Sequence, residues 1–230
     1  MQPSYETHQH MSNSDVSNSD VSSSDPAASG AAAMPLPRGF SAYVANIGMK
    51  DLTDDFVVVA ADAPCPAAAV FTRSSFAGPS VLLSRRNIAL GSARAVVVLS
   101  KNANVATGSE GRSNAEEIVA GVAGRIGCAA HDVLIASTGV IGRQYPMDRV
   151  RSHLELLAES ATAQHATAQN ATAQNATAST LFEVTDARSV ATAMMTTDTH
   201  PKTAVATLRS IAADGTEGTA RVVGVAKGVG

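Results

Sequence analysis

Short runs of branched apolar residues alternate with polar and glycine-containing segments between residues 56 and 140. Branched side chains pack well in a sheet, and the Gly, Pro, Ser and Asp residues that bound each run favour turns. The pattern therefore predicts strands at residues 56–60, 68–72, 80–83, 95–99 and 133–136.

Helical periodicity appears at two places in the same part of the chain. Ser113 and Glu116 have the spacing of a capping box, which predicts a helix start there. The apolar face of this helix consists of Ile118, Val122 and Ile126. A second helix is predicted from about Met147. Its apolar face consists of Val150, Leu154 and Leu157.

The C-terminal segment predicts a short helix followed by a β-hairpin. Residues 189–195 suit one or two helical turns. Two strand-like runs then follow, at residues 204–211 and 219–226, and they flank a turn around Asp214-Gly215. Asp-Gly is a dipeptide that tight hairpin turns favour.

Two segments of low complexity set the expected domain boundaries. Residues 11–25 repeat a Ser-Asn-Ser-Asp-Val theme, and residues 161–178 repeat Ala-Thr-Ala-Gln every five residues. Ordering such segments would cost conformational entropy without burying apolar surface. We predict a disordered tail over 1–36, one domain over 37–230, and a low-complexity surface insertion at 161–178.

Composition excludes several classes of function. The net charge is −3 and basic runs are absent, which argues against nucleic acid as a partner. Cys65 and Cys128 form no CxxC pattern, and the six histidines are scattered, so neither a disulfide nor a metal site is expected. No signal-peptide pattern opens the chain and no apolar run would span a membrane. We expect a soluble, cytoplasmic protein without a membrane partner.

The most informative chemistry lies at Thr138 and Gly139, directly after the apolar run 133–136. A hydroxyl and an unobstructed backbone N–H at a sheet edge are suited to hold the developing oxyanion of an acyl transfer. A plain strand-to-helix turn, with Gly139 present for backbone freedom, explains the same residues. These residues alone leave both interpretations open.

Five motifs in order resemble the N-terminal half of the ornithine acetyltransferase family, the bifunctional enzymes of arginine biosynthesis. They lie at residues 69–73, 102–108, 137–142, 195–198 and 226–230. The resemblance covers about residues 38–157 and 181–230. It implies an α/β, layered sheet-and-helix fold like that of the N-terminal-nucleophile hydrolases, with residues 37–230 as an α-chain-like acetyltransferase domain. The fold would be incomplete because the second chain is absent.

The resemblance assigns roles to four residues. It implies that Thr138 and Gly139 form the oxyanion hole, and that Thr196 and Lys227 contact the substrate. A single cation at Lys227 suits the α-carboxylate that N-acetylornithine and glutamate share. Without the family, Lys227 is an exposed charge at a strand end and Thr196 a helix-terminal hydroxyl. Asp198 is interpreted as a structural cap or turn residue.

The implied reaction is ping-pong transfer of acetyl from N-acetylornithine to glutamate through an acyl-enzyme. No metal or organic cofactor is needed, although some relatives also accept acetyl-CoA. The family precursor cleaves itself before a Thr that becomes the nucleophile of a β chain, and an α2β2 heterotetramer is expected. In the family that Thr lies shortly beyond the Lys-Gly-x-Gly motif, so we expect no nucleophile within this chain.

Three alternatives stay open. The chain could be a non-catalytic fragment or a scaffold that needs its β chain, or part of an aminopeptidase of the same architecture. It could also belong to a paralogue that serves clavulanic-acid-type secondary metabolism. The sequence at residues 76–80, 101–106 and 142–147 resembles that of this paralogue.

Overall fold

Four strands form one mixed sheet in the spatial order β1-β2-β3-β4. Their bounds are Phe40–Ala45, Phe56–Pro66, Ser92–Asn102 and Val133–Val140. The first three strands pair antiparallel, whereas β3 and β4 are parallel. The computed structural model describes residues 34–49, 52–155, 182–211 and 215–228.

Helices cover both faces of this sheet. The helices are α1 (Pro79–Ile88), α2 (Gly108–Ile126), α3 (residues 147–155) and α4 (Ala187–Met194). A 3₁₀ turn, Ala130–Asp132, precedes β4. A separate antiparallel hairpin of β5 (Lys202–Ile211) and β6 (Glu217–Ala226) follows α4. Because parallel strands need a long crossover connection, α2 lies between β3 and β4 in the chain.

The sheet separates two apolar cores. Alternate residues of β2 and β3, such as Phe56 and Leu99, pack with the buried face of α2. Their neighbours Val57 and Val98 pack on the opposite face with Val190 of α4. Strands covered on both faces have no polar alternation, which explains why β2 and β3 are continuous apolar runs in the sequence.

Most of the predicted elements are confirmed. The structure contains strands over 56–60, 95–99 and 133–136, the helix from Met147, the helical turns near 189–195, and the C-terminal hairpin. The α2 residues Ile118, Val122 and Ile126 are all buried, as their spacing predicted. Leu157 and the repeat at 161–178 lie outside the described residues.

The predicted strand at 80–83 is wrong, because these residues begin helix α1. The buried positions of α1 are Ser80, Leu83, Ser84 and Asn87. They have helical spacing, but three of the four are polar, so the buried face carries no apolar signal. Pro79 stands in the first turn, where its missing N–H and fixed φ are tolerated.

The predicted strand at 68–72 is also wrong, since this segment has no regular structure. Val70 is 99% exposed. The segment is held against α1 by Arg85, whose guanidinium donates to the Thr72 carbonyl at 2.8 Å and lies 5.7 Å from the centroid of the Phe71 ring. An apolar run forms a strand only where a neighbouring strand can pair with it.

The capping-box prediction placed the start of α2 too late. The helix begins at Gly108, so Ser113 and Glu116 lie within it. Thr107 precedes the helix, but its hydroxyl donates to Asn104 Oδ1 at 2.7 Å and makes no cap. The helix therefore starts without a side-chain cap.

Residues 34–36, the last of the predicted tail, are paired with the segment before α4. Met34 N donates to Asp186 Oδ1 at 2.8 Å, and Leu36 N donates to the Thr185 carbonyl at 2.7 Å. These three residues therefore pack with the domain, and the remainder of the predicted tail lies outside the described residues. Among the described helices, none is long and apolar enough to cross a membrane.

Candidate functional site

The C-terminal ends of the parallel strands β3 and β4 lie side by side and carry the residues with candidate chemistry. Ser100 is paired with Thr138, and Lys101 with Gly139. Thr138 and Gly139 are both exposed to solvent. Strand β4 continues through this dipeptide to Val140, so the turn lies after Thr138-Gly139, while the positive φ of Gly139 agrees with the backbone freedom expected of it.

Gly139 is required by the close approach of the two strands. Its φ is +142°, a conformation that side chains disfavour. A Cβ atom built at this position would lie 2.1 Å from the Lys101 carbonyl carbon and 2.5 Å from Asn102 N. Any side chain here would force β3 and β4 apart, so packing alone explains the glycine. Because glycine has no side chain, the backbone at position 139 is not covered by one.

Ser100 connects three parts of the site. Its hydroxyl donates to the Met194 carbonyl at 2.9 Å and accepts a hydrogen bond from Lys227 Nζ at 3.0 Å. Ser100 is buried. Because it is also the strand partner of Thr138, it brings the ammonium of Lys227 to the sheet end that carries the predicted oxyanion hole. Sequence analysis did not identify Ser100.

Asp198 connects Thr196 to Gly228, the residue that follows Lys227. Its Oδ2 accepts a hydrogen bond from Thr196 N at 3.1 Å, and its Oδ1 accepts one from Gly228 N at 2.8 Å. The ammonium of Lys202 contacts the same carboxylate and is the main reason that the pKa of Asp198 is well below its usual range. Asp198 therefore has the structural role expected of it, and it holds both Thr196 and Gly228, the residue after Lys227.

A cavity of about 460 Å³ opens beside these residues. Its wall includes Thr196 from the segment after α4 and Lys101 from the end of β3. The remaining lining residues are Met49, Leu52, Thr53, Thr192 and Met195. The cavity is large enough for an amino-acid substrate, since ligand pockets commonly measure ~300–1,000 Å³.

A polar cluster fixes β4 just before Thr138. The hydroxyl of Tyr145 contacts the Ser137 hydroxyl and lies 2.8 Å from Ser80 Oγ. Asn104 Nδ2 donates to Ser80 Oγ at 3.2 Å. Burial raises the pKa of Tyr145, so the phenol stays neutral and can act as donor and acceptor in this cluster.

The Asn-x-Asn motif at residues 102–104 orders the loops around the site. Asn102 Nδ2 donates to the carbonyls of Arg143 and Gln144 at 3.0 and 2.9 Å, while its Oδ1 accepts from Asn104 N at 2.8 Å. Gln144 Nε2 in turn donates to the Thr107 carbonyl at 2.8 Å. Buried amides that use several donors and acceptors specify one loop conformation. The motif indicated the family, but its structural role emerges only from the fold.

The structure brings Thr138, Gly139 and Lys227 to one end of the sheet and connects Thr196 to them through Asp198 and the 460 Å³ cavity. Within the described ranges, no group of three or more His, Cys, Asp or Glu side chains has the arrangement of a metal site. The geometry can therefore offer hydroxyl, backbone and ammonium groups to a polar substrate at a strand end.

Comparison with known proteins gives consistent matches. The ArgJ family model matches residues 41–230. The arginine biosynthesis bifunctional protein ArgJ 2 of Nostoc sp. is 41% identical over 198 residues, which are 86% of this chain and 43% of that protein. Glutamate N-acetyltransferase Oat2 of Streptomyces clavuligerus is 46% identical over 195 residues, 84% of this chain and 42% of that protein. The chain thus spans less than half the length of these relatives.

Solved structures agree with these relatives. The arginine biosynthesis bifunctional protein ArgJ of Bacillus halodurans superposes with a TM-score of 0.65 at 28% identity, over 84% of this chain and 88% of that one. Ornithine acetyltransferase of Mycobacterium tuberculosis, solved with ornithine, has a TM-score of 0.64 at 27% identity, over 86% and 92%. These matches confirm the predicted layered α/β fold of the ornithine acetyltransferases. On sequence and structure together, this chain belongs to the ArgJ family.

Proposed function

We propose that this chain is part of an enzyme of arginine biosynthesis that transfers acetyl from N-acetylornithine to glutamate in the cytoplasm. The observation that carries the proposal is the position of Ser100, which holds Lys227 Nζ at 3.0 Å and is the strand partner of Thr138. The proposed oxyanion donor and the proposed carboxylate-binding cation are thus both connected to Ser100. Relatives that are arginine biosynthesis proteins and glutamate N-acetyltransferases support the substrate class.

In the proposed chemical step, a nucleophilic hydroxyl attacks the acetyl carbonyl of N-acetylornithine. The carbonyl oxygen becomes an oxyanion, which the Thr138 hydroxyl and the Gly139 backbone N–H stabilise. Collapse of this intermediate breaks the C–N bond and transfers a proton to the leaving amine of ornithine. The amine of glutamate then attacks the acetyl-enzyme, and N-acetylglutamate leaves while the free hydroxyl is restored. This sequence uses no metal or organic cofactor, and acetyl-CoA is a possible second acetyl donor.

Thr196 and Lys227 are proposed to hold the amino-acid part of both substrates. The ammonium of Lys227 matches the α-carboxylate that donor and acceptor share, and a charge-assisted hydrogen bond fixes that end. Asp198 keeps Thr196 and residue 228 in place through hydrogen bonds to their N–H groups. Positioning of this kind holds the reacting amide near the oxyanion donors.

The nucleophile is proposed to be the first Thr of a β chain made by self-cleavage of a longer precursor, within an α2β2 heterotetramer. Coverage of the relatives supports this arrangement. This chain matches only 42–43% of two curated relatives but 88% and 92% of two solved chains. Solved chains of about this length are what cleavage of a longer precursor into two chains produces.

The proposal can be tested by completing the enzyme. The chain would be co-expressed with the C-terminal part of Streptomyces clavuligerus Oat2, the part beyond the matched region, and the purified pair incubated with N-acetylornithine and glutamate. We expect ornithine release from the pair. A stable pair that releases no ornithine, while Oat2 does so in the same assay, would contradict the proposed reaction.

The same experiment separates the alternatives. A scaffold or a non-catalytic fragment would form the pair without activity, and an aminopeptidase would instead release the first residue of a test peptide. Growth on minimal medium of a bacterial strain lacking its own ornithine acetyltransferase tests the pathway. Rescue of growth by the pair would support a role in arginine biosynthesis over one restricted to secondary metabolism.

A further inference from the structure

Lys101 occupies an unusual backbone position between two cavities at the end of β3. Its φ is +76°, in the left-handed region that residues other than glycine rarely adopt. Such conformations concentrate at binding sites, where the surrounding structure enforces them. Lys101 lines both the 460 Å³ cavity that contains Thr196 and a second cavity of about 370 Å³.

The second cavity is strongly basic. Arg143 and Arg149 line it together with Lys101. The other lining residues are Gly48, Met49, Asn102, Gln144 and Pro146. None of the described residues that line the two cavities carries a carboxylate. Among the described residues, these cavities therefore combine several cations with no lining carboxylate, and such a concave surface raises the local concentration of anions.

Lys101, which lines both cavities, directly follows Ser100, the hydrogen-bond partner of the cation that is proposed to bind the α-carboxylate. Lys227 Nζ is hydrogen-bonded to Ser100, and Lys101 is the following residue of β3. Lys101 is also the strand partner of Gly139 and shares the 460 Å³ cavity with Thr196, so it lies among the residues proposed to bind substrate. A ligand with two carboxylates has one for each of two cations, whereas an amino acid with a single carboxylate can satisfy only one.

We propose that Lys101, with Arg143 and Arg149 beside it, is a specificity-determining residue that binds the second carboxylate of a dicarboxylic acceptor. This inference rests on the proposed function, in which glutamate binds at Lys227. The side chain of glutamate ends in a carboxylate that these cations attract, and that of ornithine ends in an ammonium that they repel. The site thus favours the acceptor in the second half of the reaction and promotes release of ornithine.

Binding of simple acids to the 230-residue chain tests the inference without any acetyl transfer. Isothermal titration would compare glutarate, which has two carboxylates, with valerate, which has one. We expect Lys101→Met to weaken glutarate binding roughly tenfold, the scale of one charge-assisted contact, and to change valerate binding little. Lys101→Arg should retain most of the affinity. The matched control is Arg112→Met, which removes an exposed cation of α2 that lines neither cavity.

The possible outcomes lead to different conclusions. Equal glutarate affinity in the wild-type and Lys101→Met proteins, or no glutarate binding by a wild-type chain with a cooperative thermal transition, would overturn the inference. A loss of affinity equal to that of Arg112→Met would also overturn it, because general surface charge would then explain the binding. Lys101-dependent glutarate binding would support the dicarboxylate site even if the completed enzyme transferred no acetyl. The absence of acetyl transfer would then refute only the proposed reaction.

Discussion

Lys227 donates a hydrogen bond from Nζ to the hydroxyl of Ser100, and the two heavy atoms are 3.0 Å apart. The contact joins residues 127 positions apart, one just beyond β6 and the other near the end of β3. Ser100 also donates to the Met194 carbonyl at the end of α4. One small buried side chain therefore links the sheet, helix α4 and the segment after the hairpin.

Ser100→Ala should weaken this link. The substitution removes one hydrogen-bond partner from Lys227 Nζ and one from the Met194 carbonyl, and a hydrogen bond to a charged group contributes about 1.5–3 kcal/mol. We expect a lower free energy of unfolding in urea and faster amide exchange in β6. Ser113→Ala is the matched control, since Ser113 is exposed on α2. Equal stability of the two variants would show that the Ser100 contacts contribute nothing.

Gly139→Ala should destabilise the protein severely. The added Cβ would lie within 2.5 Å of three backbone atoms of Lys101 and Asn102, at a φ of +142°. We expect a loss above roughly 3 kcal/mol, or failure to fold, because both strand spacing and backbone conformation oppose the methyl group. The measurement is the urea midpoint or the soluble yield.

Gly124→Ala provides the control for that substitution. Gly124 lies within α2, and a Cβ there would meet no atom within 4 Å. Alanine at such a helical position should stabilise the protein by about 0.5–1 kcal/mol. Similar effects of Gly124→Ala and Gly139→Ala would contradict the packing argument.

Thr138→Ala should slow acetyl transfer in the completed enzyme by about two to three orders of magnitude, the usual effect of removing one oxyanion donor. Thr138 is exposed, so its removal should leave the stability of the chain almost unchanged. The measurement is kcat for ornithine release, with Thr219→Ala, an exposed threonine of β6, as the control. Unchanged kcat in Thr138→Ala would exclude this hydroxyl from the mechanism.

Asp198→Asn should lower stability in a pH-dependent way. A carboxyl whose pKa is lower in the folded protein than in the unfolded chain stabilises the fold above its unfolded pKa, and that contribution is lost as the pH falls through its folded pKa. The pKa of Asp198 is lowered mainly by Lys202 and by the N–H of Thr196, from an unfolded value of about 3.9. The stability difference between wild type and Asp198→Asn should therefore be largest at neutral pH and shrink below about pH 4.

Thermal melts at pH 7, 5 and 3 measure this difference. Asp148→Asn is the control, because Asp148 is fully exposed and its nearest cation, Arg151, lies 3.6 Å away. Its effect on stability should be small at every pH. A constant penalty for Asp198→Asn across the range would show that the charge of Asp198 does not stabilise the fold.

The sequence predicted elements well where the apolar pattern and the buried surface coincide. The runs 56–60 and 95–99 became β2 and β3, and the spacing of Ile118, Val122 and Ile126 identified the buried face of α2. It failed at α1, where the buried positions are mostly polar. Ser84 Oγ there donates to the Ile135 carbonyl at 2.7 Å, and Asn87 Nδ2 donates to the Val133 carbonyl at 2.9 Å. The pattern of apolar residues along the sequence does not indicate such contacts with β4.

The candidate site likewise contains residues that the sequence predicted and residues that it did not. The family resemblance predicted roles for Thr138, Gly139, Thr196 and Lys227, because short motifs with chemically distinctive side chains are visible along the chain. The sequence did not identify Ser100, Lys101 or the partners of Asp198. A serine between apolar and basic residues is common, and its importance depends on partners that are far away in sequence.

By itself, the sequence determined the strand and helix faces that bury branched apolar residues, the C-terminal hairpin and the resemblance to the ornithine acetyltransferases. Only the tertiary structure decided that β3 and β4 are parallel, that Gly139 lies against the backbone of Lys101, and that Ser100 meets Lys227. Local patterns report how one segment partitions between water and an apolar interior. The partners of a buried hydroxyl or a close backbone contact are set by the packing of distant segments, which no local pattern contains.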